Sequence, residues 1–248
     1  MEAERKCFTS TTASGDTGPA GQSRDGAWWR QLLARARSEV PKSGTSRSIV
    51  FEGADGPEGY AVWRQRHRRH NRIAADEVQV TELVAETAEG YIALWRYLLS
   101  IDRTRTVVTE FSAIDEPLWW LVNEPRALNA ATADALWVRL VNVPEALAAR
   151  QYSAEVDLVL EVTDNLVPQN AGRWRLTANR DGAAQCSATA EAPDLTCDVA
   201  DLGAAYLGGT PISTLAGAGR IRELRPGAIR SAARAFTWAF APSTIDVF

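Results

Sequence analysis

Glu77-Val-Gln-Val-Thr-Glu-Leu-Val84 runs through Ala85-Glu-Thr87 into Ala88-Glu-Gly-Tyr91-Ile-Ala-Leu94-Trp95-Arg-Tyr-Leu98-Leu99, and this stretch decides the fold class. The first run alternates apolar and polar residues, the period of a half-buried strand. Tyr91, Leu94, Trp95, Leu98 and Leu99 then recur at helical spacing and make one face. Thr87 is placed to cap that helix. Gly90 follows where a capping box would need an acid or amide, so the cap stands alone. Thr106–Phe111 (TVVTEF) returns to strand character. A strand, a capped helix and a strand in succession predict a mixed α+β protein.

Upstream, Ser48–Glu52 and Gly59–Gln65 flank Gly53-Ala-Asp-Gly-Pro-Glu58 and predict a hairpin. Trp28, Trp29, Leu32, Leu33, Ala36 and Val40 lie at helical spacing behind Asp25, a candidate cap, and Pro41 ends that pattern. Residues 1–25 are rich in Ser, Thr, Gly and Asp and are expected to form a flexible tail. Downstream, Asp115 and Pro117 predict a helix start for Leu118–Val122. Trp137–Val143 (WVRLVNV) reads as a strand, and Pro144 opens a short helix to Arg150. Val156–Val162, Arg173–Ala178, Ala183–Ala188 and Leu195–Val199 read as strands, with a hairpin turn at Asn179–Gly182. Helical pieces are expected at Ala200–Leu207, Pro211–Ala216 and Pro226–Phe240. The pattern predicts two sheet-plus-helix units joined near residue 136.

The chain has 248 residues, enough for one large domain or two modest ones. Apolar residues make up 46% and charged residues 23%, which excludes wholesale disorder. Three cysteines, Cys7, Cys186 and Cys197, are too few and odd in number for a disulfide framework. A net charge of −4 argues against a general nucleic-acid binder. No apolar run reaches the ~20 residues that span a bilayer, and Met1–Gln22 lacks the apolar stretch of a signal peptide. The expected location is therefore the cytoplasm, with no membrane and no nucleic acid among the partners.

The chemistry-bearing motifs are sparse. Cys186 and Cys197 have no His or Cys partners at ligand spacing, and no metal site is expected. His67 and His70 stand within Arg64-Gln-Arg-His-Arg-Arg-His-Asn-Arg72, which reads as a solvated loop or, alternatively, a contact for an anion or nucleic acid. Gly53, Gly56 and Gly59 join two strands, and Leu215-Ala-Gly-Ala-Gly-Arg220 follows a helix. Neither has the strand-to-helix context of a phosphate loop. The adjacent pairs Trp28-Trp29 and Trp119-Trp120 suggest partial burial at a helix edge, or else a cleft or subunit interface.

Three stretches carry a family resemblance. They are Trp28-Trp29-Arg30 with Gly59-Tyr60-Ala-Val-Trp63-Arg64; Asp115-Glu-Pro-Leu-Trp-Trp-Leu-Val-Asn-Glu-Pro125-Arg126 leading to Leu136–Tyr152; and Asp201-Leu-Gly203-Ala-Ala-Tyr206-Leu-Gly-Gly209 with Leu215–Arg220, ending in Phe248. Together they resemble the enhanced intracellular survival (Eis) family of GNAT N-acetyltransferases, over roughly residues 26–248. The resemblance implies a GNAT-like acyltransferase domain over 26–136, without a cofactor site, and a sterol-carrier-like domain over 137–248. It also implies that the family's first, acetyl-CoA-binding GNAT domain is lacking, together with the tyrosine general acid, for which no residue here can be nominated.

By that analogy the expected activity is acetyl transfer from acetyl-CoA to amines of aminoglycoside or lysine type, in a homo-oligomer, a hexamer in the family. The C-terminal carboxylate of Phe248 takes the general-base role. Asp246, Val247, Asn142 and Trp63 form the expected substrate-binding set, Asn142 standing in Leu140-Val-Asn-Val143 where the family has an acid. Acetyl-CoA is the implied cofactor, with no site for it in this chain. The alternative is a non-catalytic ligand-binding or oligomerisation module derived from the same family.

Overall fold

The computed structural model describes residues 46–71, 73–134, 136–179 and 184–243. The expected tail over 1–25 and the expected helix over 26–40 lie outside these residues. The chain divides into two compact units, whose described parts are residues 46–130 and 131–243.

The first unit is built on a four-stranded sheet. Strands β1 (Ser46–Gly53) and β2 (Gly56–Arg66) form the expected hairpin, and β5 (Asp76–Ala85) pairs antiparallel with β2. Helix α1 (Ala88–Leu99) then crosses over to β6 (Thr104–Thr109), which runs parallel to β5. The sheet order is β1-β2-β5-β6. The apolar face of α1 explains the crossover: Leu94, Trp95 and Leu98 pack on Ala61 and Trp63 of β2 and Val78 and Val80 of β5. Two-residue strands β3 (Arg69–His70) and β4 (Ile73–Ala74) pair with each other at the end of β2. The arginine-rich segment thus continues β2 to Arg66 and then folds into a small hairpin, where a solvated loop was expected.

The second unit carries a five-stranded sheet. Helix α2 (Val143–Ala149) precedes β7 (Val156–Thr163), β8 (Gly172–Ala178), β9 (Gln185–Ala188) and β10 (Leu195–Asp198). Helices α3 (Val199–Tyr206) and α4 (Ile212–Gly217), strand β11 (Arg222–Glu223) and helix α5 (Ala228–Phe236) follow. The order is β11-β10-β7-β8-β9, with β10 parallel to the central β7 and the other pairs antiparallel. Leu158, Leu160 and Val162 of β7 anchor the core together with Leu147, Leu202 and Phe236 from the helices.

Helix ends follow the local chemistry. Asp198 and Asp201 form a capping box at the start of α3. Gly219, at φ +73°, closes α4, and the Arg220 N–H returns to Leu215 O at 2.9 Å. Gly203 is a packing glycine: a Cβ there would stand 2.4 Å from the carbonyl oxygen of Val138.

Several expectations are corrected. Trp137–Leu140 joins no sheet. The buried side chain of Asn170 accepts the Val143 N–H at 3.0 Å and donates to Leu140 O at 3.2 Å, using backbone groups that a ladder would need. The helix expected over Leu118–Val122 is a 3₁₀ turn, Pro117–Trp120, followed by a second at Pro125–Leu128. Pro125 disfavours helical geometry at Glu124, so the two turns cannot merge. Trp120 is 89% exposed rather than tucked at a helix edge. Helix α5 stops at Phe236 instead of reaching Phe240, because its last carbonyls are taken by Arg150 and Ser153.

Candidate functional site

In the first unit the chemistry-bearing groups gather around the ends of β2 and β5 and the start of α1. Thr87 caps α1 as expected, its Oγ accepting the Gly90 N–H at 3.1 Å. The Thr87 hydroxyl in turn donates to the Glu58 carboxylate at 2.7 Å, and the Glu86 N–H donates to Glu58 O at 2.8 Å. Glu89 adds an acid in the first turn. The positive end of the helix dipole is thus matched by the chain's own carboxylates.

Trp63 is 1% exposed in β2, and its indole N–H has no hydrogen-bond partner among the described residues. The Arg47 guanidinium lies 5.4 Å from its ring centroid. Tyr60, three residues earlier in β2, donates to Glu82 of β5 at 2.5 Å, and both are buried. Tyr91 of α1 donates to Glu116. Burial and the Glu116 charge push its phenol well above the usual value.

The start of β5 holds a buried carboxylate. Asp76 receives His67 Nδ1 at 2.9 Å, Arg68 N–H at 3.1 Å and Gln65 Nε2 at 3.2 Å. The His67 hydrogen bond, helped by Arg68 and Arg103, holds the Asp76 carboxyl below the ordinary range although burial opposes it. His67 therefore does not stand alone among arginines. The imidazole itself is largely exposed, while Asp76 is buried.

In the second unit, Asn142 is the N-cap of α2, its Oδ1 accepting the Glu145 N–H at 3.3 Å. Beneath it lies a polar knot. Asp164 accepts from Arg139 at 2.5 Å, from Asn170 at 3.0 Å, and from the N–H groups of Leu166 and Val167 at 2.9 and 3.0 Å. Burial alone would raise its pKa; these donors outweigh burial and hold it down at about 2.

Arg150 forms a second knot, its guanidinium 4.7 Å from the Tyr152 ring centroid and 4.4 Å from that of Phe236. It donates to Tyr206 O at 2.7 Å, Phe236 O at 2.5 Å and Gln151 O at 3.1 Å. Burial pushes Cys186 up to about 11 and Cys197 up to about 12, which leaves both thiols protonated at neutral pH.

Of the sequence-derived set, Trp63 lies in the first unit and Asn142 in the second. Asp246, Val247 and Phe248 lie outside the described residues. Sequence reasoning missed Asp76 beside His67, and Asn170 with Asp164. Each pairing spans a turn or hairpin that periodicity does not register. For Arg150 a signal existed, since Arg150-Gln-Tyr152 places a cation and a ring side by side.

Residues 21–140 match the acetyltransferase (GNAT) domain family, and residues 143–244 match the sterol carrier protein domain family. An uncharacterized N-acetyltransferase of Streptomyces avermitilis is 39% identical over 224 residues, 90% of this chain and 54% of that protein. N-acetyltransferase Eis of Mycobacterium tuberculosis is 35% identical over 208 residues, 82% of this chain and 47% of that protein. The chain spans about half the length of the curated relatives it matches. The crystal structure of Eis1 from Mycobacterium abscessus superposes with a TM-score of 0.71 at 34% identity, covering 91% of this chain and 55% of that one. A GCN5-related N-acetyltransferase from Anabaena variabilis has a TM-score of 0.75 at 21% identity over 100% of this chain and 60% of its own, a likeness of fold alone. Domain matches and relatives together make this chain an Eis-like GNAT protein, a GNAT acetyltransferase domain followed by a sterol carrier protein domain.

Proposed function

We propose that this chain provides the acceptor side of an amine N-acetyltransferase of Eis type, with acetyl-CoA held by a further GNAT domain. Its similarity to N-acetyltransferases through both domains is the observation that carries this reading. The start of α1 supports the division of labour. A GNAT cofactor site presents free backbone N–H groups to a pyrophosphate at a helix N-terminus. Here the Gly90 N–H is taken by Thr87, and Glu58, Glu86 and Glu89 surround the position with negative charge. These residues do not fit a pyrophosphate.

In this proposal the carboxylate of Phe248 attracts the substrate ammonium and accepts its proton. An α-carboxyl has a pKa of ~3.5, so it is ionised at neutral pH, and partial desolvation raises its basicity. Asp246 and Val247 accompany it in the acceptor set. Asn142 joins through the amide NH₂ that its capping bond leaves free, and Trp63, 1% exposed, belongs to the set by family resemblance alone. The acceptor is an amine of aminoglycoside or lysine type, and the assembly is a cytoplasmic homo-oligomer, a hexamer by resemblance to the family. Among the described residues no helix is long and apolar enough to cross a membrane.

The test supplies the acetyl-CoA-binding domain of a relative and follows acetylation of an aminoglycoside and of a lysine peptide. Two residues added after Phe248 move the charge by several ångströms and are expected to lower turnover by ~10²–10⁴-fold. An extended chain with undiminished turnover overturns the general-base assignment. No acetylation of either amine overturns the acceptor-side reading.

A further inference from the structure

Residues 220–243 carry five arginines and a single acid, Glu223, in a chain whose net charge is −4. Two of these arginines are engaged: Arg220 pairs with Asp201 at 2.8 Å, and Arg225 pairs with Asp194. The side chains of Arg222, Arg230 and Arg234 make no hydrogen bond or ion pair with the described residues, and all three are exposed.

Arg230 and Arg234 stand one turn apart on α5, on the rim of an open groove of about 590 Å³ between α4 and α5. Ile229 and Ala233, also one turn apart, give the groove an apolar strip. Ser213 from α4 and Thr237 at the end of α5 add a hydroxyl on either side. The volume falls within the range of small-molecule sites. Glu223 also lines the groove, its carboxylate accepting the Ile229 N–H at 2.9 Å, so among the described lining residues two arginines stand with one acid.

The pair is also held on a firm base. Ala228, Ala232 and Ala235 on the opposite side of α5 are fully buried, and Phe236 is 3% exposed. A helix packed this tightly fixes the backbone positions from which the two arginine side chains reach the groove. Two planar five-donor cations flanked by hydroxyls match the several acceptor oxygens of a phosphate, while the apolar strip accommodates an organic body.

We propose that the α4–α5 groove of the sterol carrier domain binds a phosphate monoester, with Arg230 and Arg234 on the phosphate and Ile229 and Ala233 against its apolar body. This site is independent of the acetyl-transfer reading. The phosphate belongs either to a soluble ester or to a lipid headgroup, and two probes separate the sources: phenyl phosphate in solution, and phosphatidylcholine vesicles containing phosphatidic acid.

The experiment titrates the full chain with phenyl phosphate by calorimetry, with phenol as the neutral control, and measures co-sedimentation with the vesicles. The expected result is saturable one-site binding of phenyl phosphate or retention on the acidic vesicles, with no binding of phenol. Arg230→Gln with Arg234→Gln is expected to weaken it by roughly 10-fold or more, in keeping with loss of charge-assisted hydrogen bonds. Ser213→Glu keeps both arginines and is expected to weaken binding by repulsion alone. All three positions are exposed, and an unchanged melting temperature verifies the fold. Binding of phenyl phosphate alone assigns the soluble source, and vesicle binding alone the lipid one. No saturable binding of either probe, or binding undiminished in both variants, overturns the proposal.

Discussion

The side-chain oxygen of Asn170 accepts the backbone N–H of Val143 at 3.0 Å, across 27 residues of sequence and inside the core of the second unit. The same amide donates to Leu140 O and to Asp164. One side chain therefore sets where α2 begins and why the preceding segment joins no sheet. Asn170→Ala would leave a buried N–H, a buried carbonyl and part of a carboxylate unpaired. Each such group costs about 1–3 kcal/mol, partly relieved by local movement. Urea unfolding is expected to show a loss of about 2–4 kcal/mol. A loss below ~0.5 kcal/mol, the scale of neutral surface changes, would contradict this account.

Acid sensitivity follows from Asp164 and Asp194. Asp164 titrates at about 2 in the folded chain, and Arg225 with the Val159 N–H holds Asp194 below its usual value against the effect of burial. An unfolded aspartate titrates near ~3.9. A depressed folded pKa adds stability that is fully present above the unfolded value and is lost as pH falls toward the folded one. The melting temperature is therefore expected to fall between pH 4 and pH 2. In Asp164→Asn the chain starts less stable and falls less steeply over that window. An equal slope in both proteins would rule out Asp164 as a source.

Gly203 tests close packing. Its missing Cβ leaves room for the Val138 carbonyl, which a methyl group would meet at 2.4 Å. Ala is the better helix former by ~1 kcal/mol, yet Gly203→Ala is expected to destabilise by about 1–3 kcal/mol, because backbone must move. Gly217→Ala, in the last turn of α4 with nothing within 4 Å, is the matched control and is expected to be neutral or mildly stabilising. Differential scanning calorimetry of the two variants separates propensity from packing.

Arg150 is not replaceable by lysine. Its guanidinium stacks on two rings and reaches carbonyls on both α3 and α5. An ammonium has neither the plane nor the fork. Arg150→Lys is expected to lower stability by about 1–3 kcal/mol, through carbonyls left unpaired. Amide exchange should rise at the ends of α3 and α5 in this variant while β8 and β9 stay protected.

Acetyl-CoA is expected not to bind this chain specifically, given the acids around Thr87. Exposed arginines such as Arg69 attract phosphates weakly, and that attraction fades with salt. Calorimetry at ~0.15 M salt on the Arg230→Gln, Arg234→Gln variant, which lacks the α4–α5 phosphate site, should show no saturable isotherm that distinguishes acetyl-CoA from ATP. A one-site isotherm surviving higher salt in that variant would place a donor site on this chain.

Much of the fold is legible in the sequence because it depends on local pattern. The alternation of Glu77–Val84, the Thr87 cap and the face from Tyr91 to Leu98 are each visible within a few residues, and β5 and α1 follow them. The run Trp137–Val143 reads as strand for the same reason, through its β-branched residues. What decides it is Asn170, which no local window contains. Trp119-Trp120 is misread because two prolines restrict the segment to short turns. Of the candidate site residues, Asn142 is identifiable as a polar residue before a helix. The His67–Asp76 pair depends on how β3 and β4 fold back, which spacing alone does not specify.

The contact between Arg150 and the carbonyl of Phe236 joins residues 86 apart in the chain. During synthesis at ~5–20 residues per second, Arg150 would wait roughly 4–17 s before its partner is made. Over that interval the end of α2, the Tyr152 ring and the inner face of β7 have no α5 to cover them. The second unit thus completes its core only when α5 has cleared the ribosome. Slow codons or early termination within residues 228–236 would be felt first as exposed apolar surface at β7, and so as chaperone binding in the cell.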